Sequence, residues 1–218
     1  MPVKQMLILR VTSDACDVEI AQIKSAAEMH GIIVDVTDEI TSTPQLADAV
    51  RRGVPYDYIY VASHGSADGL SGDNYSVSWY EFAYHVCVEE TINDNCIFLL
   101  ACCRGGFQRV AYDIFAGCSL IEYVFGPRWT LTKPDLTAAF HIFIYNMEQR
   151  KLQPGQAAKR ASDGTGYDFL CYDRVEIEQT EEYLYRRDEV EVLLQPLYDD
   201  GASEDKIEDE PVAEQSTM

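Results

Sequence analysis

Short apolar runs of strand length alternate with helix-spaced stretches along most of this chain, and that alternation leaves few folds open to it. Residues 6–11, 32–37, 57–62, 96–101, 119–125 and 168–172 read as strands, being apolar, β-branched or aromatic and bounded by turn residues. Between them, residues 17–30 place Ile20, Ile23 and Ala27 at helical spacing, with Gly31 as the stop. A short helix opens at Thr43-Pro44, and residues 78–91 carry Trp79, Phe82, Ala83 and Val86 on one stripe. A further short helix begins near Gly106. Thr132-Lys133-Pro134-Asp135 starts a long one with Leu136, Ala139, Phe140, Phe143, Ile144 and Met147 along one side, and residues 154–161 form another. Alternation of this kind predicts an α/β fold, a mostly parallel sheet with helices on both faces. Residues 66–76, rich in Gly, Ser, Asp and Asn, read as a loop.

The composition shifts after Tyr172. Residues 173–218 hold 16 acidic and 4 basic side chains, most of the chain's formal charge of −20. The expected organisation is a folded body over residues 1–172, an acidic appended segment over 173–198 and a disordered acidic tail over 199–218. The appended segment either adds a hairpin or helix to the body or docks a partner. Such a charge excludes nucleic acid and anionic membrane as partners, since both need a basic footprint. No run reaches the length of a membrane helix and the N-terminus lacks a signal-peptide pattern, so a cytoplasmic location is expected. In that compartment the seven cysteines, at 16, 87, 96, 102, 103, 118 and 171, read as thiols rather than a disulfide frame. None shows C-x-x-C spacing, so no metal site is expected.

Two strands end in chemistry. Tyr58–Ala62 runs into Ser63-His64-Gly65, and Ile97–Ala101 runs into Cys102-Cys103-Arg104-Gly105-Gly106. Strand ends in a parallel sheet are where side chains leave the core and meet substrate. A thiol needs a neighbouring imidazole to become a thiolate near neutral pH, so His64 and Cys102 are candidate base and nucleophile. The N–H groups of Gly65 and Cys102 are candidate oxyanion donors. His30, His85 and His141 lie within helices and read as packing or surface residues.

The runs YIYVASHGSADGL and CIFLLACCRGG, followed by CSLIEYVFGPRWTLTKPDLTAAFHIFIYNM, resemble the caspase-like cysteine peptidases, the group of caspases, gingipains, legumains, separases and CHAT domains. The Trp-containing loop before a helix is closest to the CHAT and separase pattern. The resemblance spans roughly residues 6–148 and implies a caspase-like three-layer sandwich. It also implies a cysteine endopeptidase acting on a protein or peptide without a cofactor. Cys102 fits the Ala-Cys-x-x-Gly spacing of the CHAT group. Cys103-Arg104-Gly105 fits the caspase Cys-Arg-Gly, but without its preceding Ala. Successive residues at a strand end point to different sides, so one of the two faces His64, and the spacing favours Cys102. Trp129 and Lys133 take substrate-binding positions. Lys133 stands where separase-like chains have an acid, so an acidic or neutral side chain is expected in place of a basic one. The helical repeats often fused to CHAT domains are missing, which implies a regulatory protein partner in trans, and the resemblance itself suggests a role in defence or regulated cell death. The alternative is a caspase-like scaffold that no longer cleaves and serves as an interaction or signalling subunit.

Overall fold

The structure, a computed structural model, describes residues 3–13, 17–51, 55–87 and 91–201. The chain runs β1 (Gln5–Arg10), α1 (Asp17–Met29), β2 (Ile33–Glu39), α2 (Thr43–Arg51) and β3 (Tyr56–Ala62). Three short strands follow, β4 (His64–Gly65), β5 (Gly69–Ser71) and β6 (Ser76–Ser78), then α3 (Trp79–Val86) and β7 (Ile92–Ala101). The rest is α4 (Gln108–Gly117), β8 (Ile121–Pro127), α5 (Lys133–Glu148), α6 (Pro154–Thr165), β9 (Phe169–Asp173), α7 (Arg174–Ile177) and α8 (Glu181–Gly201).

Six strands form the central sheet in the order β2-β1-β3-β7-β8-β9, parallel except for β9, which runs antiparallel to β8. Strands buried on both faces must be apolar throughout, and Tyr58 to Ala62 and Phe98 to Leu100 are 0–1% exposed. One face is covered by α1, α5 and α6 through Ile23, Ala27, Phe140, Phe143 and Ala157. The other is covered by α2, α3, α4 and α8 through Leu46, Phe82, Val110, Ile114 and Leu194. The result is a three-layer α/β sandwich. From β1 the chain steps one way to β2, then returns to the other side for β3. Crevices form where strand order reverses in this way, and here the crevice lies at the C-terminal ends of β1 and β3.

Several expectations are revised. The loop read over residues 66–76 contributes β5 and β6, which join β4 in a three-stranded antiparallel sheet buried only at Leu70 and Val77. Helix α3 starts on a capping box, Ser78 and Glu81 bonding each other's backbone N–H, and ends at Val86, short of the expected residue 91. Cys87 and Cys118 are paired as a disulfide with Cα atoms 5.3 Å apart, which corrects the reading of both as thiols. Cys96, Cys102, Cys103 and Cys171 are free, and Cys16 lies outside the described residues.

The segment after Tyr172 is helical and docked. Arg174, 8% exposed, donates to the carbonyls of Phe115 at 3.0 Å and Ile121 at 2.7 Å, and to that of Cys118. Phe115 and Cys118 lie in the last turn and cap of α4, where helix carbonyls lack intrahelical partners, and Ile121 opens β8. Arg186 of α8 holds Asp113 of α4 with two hydrogen bonds, 2.6 and 3.2 Å. The tail expected to be disordered from Asp199 is helical as far as Gly201, and residues 202–218 lie outside the described residues.

Candidate active site

The ladder between β3 and β7 ends on the pair Ala62–Ala101. Continued by one step, that register sets Ser63 beside Cys102. His64 then leaves this sheet and pairs with Ser71 in the small one. Side chains alternate between faces along a strand. Val61 and Leu100 face the α3–α4 side, Ala62 and Ala101 the α1–α5 side, and Cys102 returns to the α3–α4 core.

Cys102 is 1% exposed, and burial pushes its thiol up to about 12, with the neighbouring Ser63 hydroxyl opposing that shift. Two glycines press on the sulfur. A Cβ at Gly65 would stand 2.7 Å from Cys102 Sγ, and one at Gly105 3.1 Å from the same atom. Only the missing side chains let the backbone pass this close. Cys103 is half-buried. The turn that follows it holds Arg104 at φ 63°, a left-handed conformation that non-glycine residues adopt uncommonly. Helix α4 begins shortly after this turn, and its N-cap residue Phe107 supplies no side-chain cap.

His64 is exposed at the mouth of the crevice, with Nε2 3.4 Å from Thr12 Oγ1. Thr12 follows β1 and its hydroxyl is also 3.5 Å from Asp73 Oδ1, while Ser13 Oγ donates to Asp73 Oδ2. Neither Thr12 nor Asp73 stands out in the sequence. They come together beside the imidazole because the end of β1 and the β5–β6 connection meet above the crevice.

His64, Cys102 and Cys103 line one cavity of 150 Å³ together with Thr12, Glu19, Ser63 and Lys133. Of the expected site residues, His64, Cys102 and Lys133 thus share one cavity, and Gly65 packs against Cys102 beside it. Trp129 lines a neighbouring cavity of 480 Å³ with Gly106, Arg109, Arg128 and Tyr172. Its ring is 55% exposed, lies 5.7 Å from the Arg128 guanidinium and donates from Nε1 to Asp168 at 3.4 Å. Asp135 accepts from the Thr132 hydroxyl at 2.6 Å, so it serves the start of α5. Among the described residues no group of three or more His, Cys, Asp or Glu side chains is placed to hold a metal ion. No described helix is long and apolar enough to cross a membrane.

No family model matches the chain, and no curated protein matches it in sequence. Among solved structures, it is similar to a secreted C11 cysteine protease from Bacteroides thetaiotaomicron, determined in complex with an irreversible peptide inhibitor. The TM-score is 0.55 at 8% identity, over 81% of this chain and 67% of that one. At this identity the likeness is one of fold. The chain has the caspase-like α/β fold of that protease, and in it His64 and the Cys102-Cys103 pair meet at the crevice beyond the strand ends.

Proposed function

We propose that this protein is a cysteine endopeptidase of the CHAT-like kind, with His64 as general base and Cys103 as nucleophile. One observation carries the reading: an imidazole and a half-buried thiol share a cavity at adjacent parallel strand ends, steadied by Thr12. The spacing argument favoured Cys102, but a thiol 1% exposed and held protonated by burial is a poor nucleophile. Cys103, half-buried, lines the cavity with His64, and Cys102 lines it from the core beneath. Cys103 Sγ attacks the scissile carbonyl carbon as His64 takes the thiol proton. The oxyanion is held by backbone N–H groups, with Gly65 and the Cys102-Cys103 peptide as the donors in reach. The imidazolium then protonates the leaving amine, and a water, deprotonated by His64, releases the acyl group. The substrate is an extended protein segment, and a partner protein delivers it or controls access.

The test uses the full chain, an unfolded protein free of cysteine as substrate, and iodoacetamide. Cys103→Ala abolishes cleavage, while Cys102→Ala retains it. His64→Ala slows both cleavage and alkylation of Cys103 by about 100-fold or more. Retained cleavage in Cys103→Ala with loss in Cys102→Ala moves the nucleophile to Cys102. Alkylation of both thiols indifferent to His64→Ala, with no cleavage, leaves the non-cleaving scaffold.

A further inference from the structure

The cavity beside His64 and Cys103 carries one charge of each sign. Glu19, in the first turn of α1, is 5% exposed and accepts from the Tyr60 hydroxyl at 3.0 Å. Lys133, the first residue of α5, is half-buried and lines the same 150 Å³. Burial raises the Glu19 carboxyl, while the bond from the Tyr60 hydroxyl and, after it, the Lys133 charge draw it back. Among the described residues no salt bridge closes between them. Helices α1 and α5 pack together, which fixes the two groups on facing walls.

That arrangement constrains what can enter. A lysine or arginine side chain would set two cations against one carboxylate. An aspartate or glutamate would set two carboxylates against one ammonium. Either leaves a desolvated like-charge pair, which is costly. An apolar side chain would strip water from both charges and return no hydrogen bond. A carboxamide has a donor for the carboxylate and an acceptor for the ammonium within one planar group. Lys133 alone is compatible with an acidic or a neutral side chain, and Glu19 removes the acidic option.

We propose that this cavity receives the substrate residue next to the scissile bond and selects a carboxamide side chain, glutamine or asparagine, through Glu19 and Lys133. The assignment rests on the peptidase reading above and deepens it. Glu19 and Lys133 are specificity residues and do not touch the reacting atoms.

The experiment treats the full chain with peptidyl acyloxymethyl ketones that differ only in the last residue: Gln, Asn, Lys or Asp. Adduct formation on Cys103 is followed by intact mass. The faster of the Gln and Asn probes reacts at least about tenfold faster than Lys and Asp. Lys133→Met frees the carboxylate and brings the Lys probe to the front. Glu19→Gln frees the ammonium and brings the Asp probe to the front. Lys or Asp leading on the unaltered chain, the same rank order in both variants, or no adduct from any probe overturns the proposal. A wrong rank order with His64-dependent adducts leaves the peptidase reading intact. Iodoacetamide labelling of Cys103 that ignores His64→Ala overturns that reading whatever the rank order.

Discussion

Helix α8 is tied to the body by a charge pair whose removal has a calculable cost. Asp113 is 1% exposed within α4, and Arg186 meets it with two hydrogen bonds of 2.6 and 3.2 Å, its own side chain only 16% exposed. Arg186→Met keeps the stem against Tyr80, whose ring lies 6.0 Å from the guanidinium, and removes the charge. A carboxylate left buried without its partner costs about 3–5 kcal/mol. Asp113 escapes part of this by taking a proton, because burial already holds its carboxyl above the ordinary value against the pull of Arg186. The expected loss is therefore the low end, about 3 kcal/mol, or roughly 1 M in the urea midpoint. The sign of the pH dependence follows. A carboxyl raised in the folded state binds more protons folded than unfolded, so stability falls as pH rises from the ordinary carboxylate range through the raised value. The deficit of Arg186→Met is thus largest at pH 7 and narrows towards pH 5. Adding Asp113→Asn removes the stranded charge, so the double variant loses only about 1 kcal/mol, about 2 kcal/mol less than Arg186→Met alone. Urea unfolding of the four proteins at both pH values decides it. A loss under about 1 kcal/mol at pH 7, or additive single effects, refutes the claim that this pair holds α8 down.

Gly65→Ala brings a methyl group to 2.7 Å from Cys102 Sγ and from the Cys103 carbonyl oxygen, so a loss of about 1–3 kcal/mol is expected together with loss of cleavage. An unchanged melting temperature would show that the strand end does not press on the sulfur. The Cys87–Cys118 pair closes a separation of 31 residues, for which loop-closure entropy gives about 3–4 kcal/mol. Cys87→Ser, or reductant on the unaltered chain, should lower the denaturant midpoint accordingly, and a midpoint indifferent to reductant would refute the pairing.

What could be read from the sequence divides along physical lines. The central strands were legible because burial on both faces demands an unbroken apolar run, as in Tyr58 to Ala62 and Ile97 to Ala101. The small sheet of β4, β5 and β6 was not, because each strand contributes at most one core side chain, Leu70 or Val77, and so leaves no period to detect. The stop of α3 at Val86 left no Gly or Pro signal in the sequence, and the Cys87 that follows it is tied by a disulfide to a residue 31 positions away. The site divides in the same way. That a histidine and a cysteine stand at strand ends is local information. Which cysteine serves the histidine depends on how the two strand ends sit against each other in space, where both Cys102 and Cys103 line the cavity with His64. Motif spacing along one strand is blind to that arrangement, because both cysteines satisfy some version of the motif. Glu19 was hidden for a related reason. In sequence it is an ordinary acidic residue in a helix's first turn, where the helix dipole alone accounts for it. Only the packing of α1 against α5 brings it to the cavity that Lys133 enters, and there a surface-type residue becomes a buried charge with a partner to choose.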